Sequence, residues 1–159
     1  MDTIEQKLGF DRIRQMVAEQ CTNALAARMA DEMAFTSDYE PLCHELQLVE
    51  EMRQIVLMES EFPQQDFIDL TPTLVHLRVG NTFIPLENLF DLKLSLRTIR
   101  ECYGFLTSEE KQQYTALRNL AVEVELGYGG KSSQLNVVNS LLGKLIDDHG
   151  ELYDNASPA

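Results

Sequence analysis

Apolar residues recur every three or four positions along nearly the whole of this sequence, and this spacing is typical of amphipathic helices. Phe10, Ile13 and Val17 begin the pattern near the N-terminus, and it continues almost to the C-terminus. Only residues 121–126 alternate as a strand would, and they overlap a helical pattern that begins earlier. The sequence therefore predicts an all-α fold of packed antiparallel helices, forming a single domain over residues 1–159.

Capping residues and prolines divide the pattern into helices. Thr22-Asn23 supplies a cap for an early helix. Ser37 and Glu40 have the spacing of a capping box, and they predict a long helix that runs to about Glu59. Thr71-Pro72 starts a short helix and Pro85 opens a second long one.

A second capping box at residues 107–110 predicts the start of a further helix, and Gly150 ends the last one. Each predicted helix carries a stripe of mainly apolar residues at helical spacing. In chain order the stripes are Leu42, Leu46, Val49, Arg53 and Val56; Leu74, Val75 and Leu77; Leu89, Leu92, Leu96, Ile99, Tyr103 and Leu106; Tyr114, Leu117, Leu120 and Val124; and Leu135, Val138, Leu142, Leu145 and Ile146.

Charge and cysteine content narrow the function classes. The formal net charge is −13, the opposite sign to that of a stand-alone DNA-binding domain. The cysteines Cys21, Cys43 and Cys102 are widely spaced and odd in number, which favours buried thiols in a reducing compartment. The N-terminus does not resemble a signal peptide, and no apolar run is long enough to span a bilayer. We therefore expect a cytoplasmic protein without a membrane partner.

The stretch GYGGKSS, residues 127–133, resembles the end of a phosphate-binding loop. A complete loop needs a glycine five positions before Gly130, and Glu125 stands there. A carboxylate at that position would repel a polyphosphate. The stretch is better interpreted as a helix–helix connection, and we expect no catalytic, cofactor or metal site in the chain.

Lys93, Arg97 and Arg100 form the only basic stripe, since their i, i+4, i+7 spacing places them on one helix face. They are the candidate nucleic-acid contacts. The alternative is a solvated face paired with nearby acids such as Glu101. The acidic residues around Asp147 lack the spacing of a calcium loop and favour a solvated helix end.

Three stretches resemble the second bacterial MutS subfamily, whose members lack the mismatch-reading N-terminal domains. They are IEQKLGFDRIRQMVAEQC (residues 4–21), MAFTSDYEPLCHELQLVEEMRQI (residues 33–55) and LIDDHGELYDNASPA (residues 145–159). The first and last are the more specific, and Ala159 stands where the family often has Glu. Ser157-Pro158 also has the residues of a helix start. We therefore expect the N-terminal part of a longer chain, with a flexible tail as the alternative.

The resemblance implies a non-catalytic core or lever segment of a homodimeric ATPase. ATP and magnesium would bind in a downstream domain, and a Smr endonuclease domain often follows. Such proteins are associated with branched DNA, suppression of recombination and collided ribosomes. Two alternatives stay open. One is a free-standing acidic helical module that binds a protein partner, and the other is a small nucleotide-binding enzyme that uses Lys131.

Overall fold

The computed structural model describes residues 4–63, 67–127, 132–154 and 156. These residues form α-helices and one short 3₁₀ helix, and they contain no β-strand beyond an isolated bridge between Ile146 and Leu152. The predicted all-α fold is confirmed, and residues 121–126 are helical. The helices are α1 (Ile4–Leu8), α2 (Phe10–Ala18), α3 (Ala24–Asp31), α4 (Tyr39–Met58), α5 (Thr71–His76), α6 (Leu86–Thr107), the 3₁₀ helix (Glu109–Lys111), α7 (Thr115–Gly127) and α8 (Ser132–Leu145).

The N-terminal helices α1 to α3 pack mainly on one another. Gly9 joins α1 to α2 in a left-handed conformation with a φ of 73°, which glycine adopts without steric cost. Asn23 caps α3 as predicted, because its side chain accepts a hydrogen bond of 2.8 Å from the backbone N–H of Ala26. The same side chain donates to the carbonyl of Phe67 at 3.2 Å, and this bond ties α3 to the segment before α5.

The main core lies where α4 and α6 meet the region around α7. It consists of Ile55, Phe62, Leu106 and Tyr114. The ring of Phe105 meets that of Phe62 edge to face, with centroids 5.2 Å apart. Half-buried Cys102 packs against this cluster, and burial raises the pKa of its thiol to about 11. Cys43, in contrast, is exposed, so the prediction of buried thiols was wrong there.

One predicted capping residue and one predicted helix start were wrong. Helix α4 begins at Tyr39 after Asp38, whose side chain makes no capping bond; the backbone N–H of Asp38 instead donates to the hydroxyl of Thr36 at 3.2 Å. Ser108 directly follows α6, Glu109–Lys111 form the 3₁₀ helix, and α7 starts only at Thr115. The predicted end of α4 near Glu59 is confirmed.

Several predicted stripes do not face the core. On α4 the side chains of Leu46, Val49 and Val56 are 59%, 66% and 57% exposed. On α5 the predicted inward residues Leu74, Val75 and Leu77 are also exposed. Leu106, Tyr114, Leu142 and Ile146 are buried as expected.

The chain as a whole exposes an unusually large surface. Its accessible surface is 12093 Å². A compact monomer of 18.1 kDa would expose about 8,100 Å². The difference is as large as the area buried in an extensive obligate interface. Several apolar helix faces therefore lack a packing partner among the described residues.

Candidate functional site

A basic cleft lies between α6, α8 and the segment that follows α8. It has a volume of about 310 Å³. All three residues of the predicted basic stripe line it, which confirms that they share one helix face. The lining residues are Phe90, Lys93, Leu94, Arg97, Arg100, Asn139, Gly143, Asp148 and Tyr153.

Lys93 holds the C-terminal end of α8. Its ammonium donates to the carbonyl of Ile146 at 3.0 Å, to the carbonyl of Asp147 at 2.9 Å and to a carboxylate oxygen of Asp148 at 3.0 Å. An ammonium group has three donors, so all three are engaged within the chain. A cation at a helix C-terminus also interacts favourably with the helix dipole. Lys93 thus positions α8 on α6.

Arg97 and Arg100 lie further along the same face of α6. The guanidinium of Arg97 is 4.0 Å from the carboxylate of Glu101, and its side chain is about half exposed. Arg100 is exposed at the cleft wall. The outer part of the cleft is therefore the part that an anion could reach. Contact of these residues with nucleic acid stays a prediction.

The acidic segment after α8 forms a hook that closes one end of the cleft. The carboxylate of Asp147 accepts the backbone N–H groups of His149 at 2.8 Å and Glu151 at 2.9 Å, and these bonds lower its pKa. Gly150 has a φ of +87°, and a Cβ atom built there would lie 3.2 Å from the ring of Phe90. The hook needs glycine at this position for both reasons.

A buried carboxylate caps the N-terminus of α7 from outside that helix. Glu51 of α4 accepts the backbone N–H of Ala116 at 3.1 Å and that of Leu117 at 2.9 Å, with further bonds from Gln47 and Thr115. Burial raises the pKa of this carboxyl, but the four hydrogen bonds together outweigh burial and lower the pKa. Local sequence patterns did not predict this cap. The sequence feature that could have indicated it is the position of Glu51 itself, three residues after Leu48 and four before Ile55. This spacing places an acidic side chain on the same side of the helix as two apolar ones.

A second carboxylate joins α4 to the segment before α7. Glu59 accepts hydrogen bonds from the ammonium of Lys111 and, at 3.0 Å, from the hydroxyl of Tyr114. Lys111 also lies 5.1 Å from the centroid of the Phe105 ring. The bond from Lys111 is the main cause that lowers the pKa of Glu59. Glu51 and Glu59 therefore fix α4 to α7 and to the core through charged hydrogen bonds.

The glycine stretch separates two helices. Residues 128–131, including Lys131, lie outside the described residues. The segment before them is the end of α7 and the segment after them is α8. A phosphate-binding loop follows a β-strand, so its structural context is not met. Among the described residues no group of three or more His, Cys, Asp or Glu side chains could hold a metal ion.

Comparison with known proteins gives relatives named Endonuclease MutS2. No family model matches the sequence, and no solved structure matches it. The chain is 24% identical over 152 residues to the Endonuclease MutS2 of Geobacillus sp. (strain WCH70), covering 94% of this chain and 18% of that protein. It is 25% identical over 159 residues to the Endonuclease MutS2 of Listeria innocua, covering 98% of this chain and 19% of that protein.

A third relative, the Endonuclease MutS2 of Thermomicrobium roseum, is 24% identical over 154 residues. The chain spans about one fifth of the length of the relatives it matches. Within the described residues, no helix has the length and apolar character that crossing a membrane requires. The chain is thus distantly similar, along almost all of its length, to one segment of MutS2 proteins.

Proposed function

We propose that this chain is a non-catalytic helical segment that transmits motion within a longer, MutS-like ATPase. Two charged contacts between helices carry the proposal. One is a carboxylate at the N-terminus of a helix, and the other is an ammonium group at the C-terminus of another helix. Glu51 of α4 holds the N-terminus of α7, and Lys93 of α6 holds the C-terminus of α8. A displacement of α4 or α6 would therefore move α7 or α8 as a rigid body.

The similarity to MutS2 proteins and the large exposed surface support the same proposal. A segment of a larger helical assembly would cover apolar helix faces that this chain leaves exposed. ATP, magnesium and any endonuclease site would then belong to other parts of the longer protein. That protein would be a homodimer whose substrate is branched DNA or a collided ribosome.

The first test is whether the reading frame that encodes this chain continues to a complete phosphate-binding loop. Amide hydrogen exchange on the full-length protein, with and without ATP and magnesium, then tests transmission. We expect nucleotide to change protection in α6, α7 and α8, and Lys93→Met to reduce the change in α8 while leaving ATP binding intact. Unchanged protection throughout residues 86–148 would refute the proposal.

The basic cleft favours a second role, contact with a nucleic-acid backbone through Arg97 and Arg100. Because each neutralised phosphate releases counterions, such contacts make affinity depend on salt. The double variant Arg97→Glu/Arg100→Glu should weaken DNA binding by the full-length protein and flatten its salt dependence. Lys144→Glu, on exposed α8 surface, is the matched control. If both variants show the wild-type salt slope, the cleft does not contact nucleic acid.

A further inference from the structure

Helix α4 carries an exposed apolar seam, which we call the α4 seam. Its residues follow one another at alternating spacings of three and four, the heptad pattern of a coiled-coil contact. They are Tyr39, Leu42, Leu46, Val49, Arg53 and Val56. The apolar members are between 36% and 77% exposed. The seam covers about 26 Å of helix, at about 1.5 Å per residue.

The opposite face of α4 makes the contacts with the rest of the chain. Glu51 caps α7 from that face, and Ile55 is fully buried in the core. Helix α4 is thus apolar on two sides but packed on one. A helix that is apolar on several sides normally lies in an interior. The exposed seam therefore has the character of a contact surface that the described residues leave uncovered.

Charges beside the seam indicate what could cover it. The charged residues at the flanking heptad positions along the seam, Asp38, Glu45 and Glu50, are all acidic and exposed. Arg53 is the one cation within the seam, and its guanidinium donates two hydrogen bonds of 2.8 Å to the carboxylate of Glu50. Three acids and one cation leave the seam with a net negative charge.

A second copy of this chain fits poorly on the seam. In a parallel pair of α4 helices, Glu45 would face Glu50 of the other copy and Arg53 would face Arg53. In an antiparallel pair, acidic flanks would again meet acidic flanks. Like charges across a heptad contact disfavour pairing, and the net charge of −13 adds general repulsion between copies.

We propose that the α4 seam is the docking site of an amphipathic helix with an apolar three-four repeat and basic flanking residues. Its basic side chains would face Asp38, Glu45 and Glu50, and an acidic side chain in its own repeat would face Arg53. A contact with a single helix would bury an area at the lower limit of specific interfaces, so the affinity would be weak in isolation. Covalent linkage of such a helix within a longer protein would raise its effective concentration.

The probe for the experiment is a designed 28-residue helix labelled with fluorescein. It has Leu at the heptad a and d positions, Glu at one central a position and Lys at all e and g positions. Its control peptide differs only in carrying Glu at all e and g positions. Fluorescence anisotropy with the 159-residue chain should show binding of the Lys peptide that weakens from 50 to 500 mM salt, and no binding of the Glu peptide.

Two variants of the chain place the binding on the seam. Leu46→Gln/Val49→Gln should lower the affinity of the chain for the Lys peptide by about tenfold or more. Val75→Gln, at a similarly exposed apolar position in α5, should leave this affinity unchanged. Far-UV circular dichroism shows whether both variants keep the wild-type helix content, and a single Leu46→Gln variant replaces the double variant if the latter unfolds.

Three results would overturn the proposal. Equal binding of the Lys peptide to the wild-type chain and to the folded seam variants would show attraction by overall charge alone. Equal binding of the Lys and Glu peptides would show that the acidic residues beside the seam do not discriminate between basic and acidic partners. Sedimentation velocity could also reveal a dimer of the wild-type chain that the seam variants lose, which would assign the seam to a second copy.

Discussion

Replacing Glu51 by Ala should destabilise this chain far more than replacing any exposed glutamate. The substitution removes the acceptor of two backbone N–H groups, those of Ala116 and Leu117, at a position only 6% exposed. Leaving a buried donor unsatisfied costs about 1–3 kcal/mol, and loss of an N-cap costs about 0.5–2 kcal/mol. Since both describe the same lost bonds, the two costs are not added, and we expect a total of about 1–3 kcal/mol.

Urea denaturation followed by circular dichroism at 222 nm measures this loss. With a typical m-value of about 2 kcal/mol per M, a loss of 3 kcal/mol would lower the midpoint by about 1.5 M. The matched control is Glu45→Ala, on exposed surface of the same helix, which should change stability by less than about 0.5 kcal/mol. Equal midpoints for the two variants would refute the role of Glu51 as the cap of α7.

The same carboxyl should contribute to the loss of stability in acid. The pKa of Glu51 in the folded chain lies below its ordinary value of 4.5. The folded state therefore favours the ionised form, and this contribution is fully present above about pH 4.5 and is lost as pH falls through the lowered folded pKa. Glu51→Gln should accordingly lose less stability than the wild type when the pH is lowered from 6 to 3. Parallel pH profiles for the two proteins would contradict the lowered pKa.

Three further substitutions test the packing of α6 and α8. Lys93→Met should cost about 1–2 kcal/mol, because it removes the donor to the two carbonyls that directly follow α8; in urea denaturation, Lys144→Met should stay near wild type. Gly150→Ala should cost about 1–3 kcal/mol, since φ is +87° and the new Cβ would lie 3.2 Å from the Phe90 ring. Gly104→Ala is the control. Gly104 lies within α6 and a Cβ atom there would meet no other atom within 4 Å, so thermal melting should show unchanged or higher stability. Ser95→Ala should be neutral or slightly stabilising in the same melts, because the buried hydroxyl of Ser95 has no hydrogen-bond partner among the described residues; a loss above 1 kcal/mol would contradict this.

Local sequence signals predicted the fold class and several helix ends because those features depend on neighbouring residues. Asn23 caps α3 within three residues, and Pro85 immediately precedes α6. The capping box at Ser37 and Glu40 predicted the start of α4 to within one residue but named the wrong cap, because the spacing alone does not determine which residue precedes the first turn. The stripe on α4 failed as a core prediction for another reason. That helix has apolar residues on two sides, and periodicity alone does not determine which side packs on α7.

The basic stripe shows the same limit at the candidate site. Spacing correctly placed Lys93, Arg97 and Arg100 on one face of α6. It gave no indication that Lys93 would bind carbonyl groups more than fifty positions away, at Ile146 and Asp147. The cap from Glu51 spans more than sixty positions in the same way. Contacts of this kind depend on how helices pack, so a single sequence does not specify the partners.

The arrangement of α4 connects the two proposals. A segment that transmits motion needs one surface that receives a displacement and another contact that passes it on. Each residue of an α-helix is rotated by about 100° from the one before it. This rotation places the α4 seam and Glu51 on roughly opposite sides of the helix. A helix bound to the seam would therefore act on α4 from one side, while Glu51 and Glu59 carry the displacement to α7 and the core from the other. If Glu51→Ala leaves peptide binding intact but abolishes the effect of binding on amide exchange in α7, then the two faces act in series. If the exchange response in α7 survives this substitution, the displacement travels through the apolar core instead.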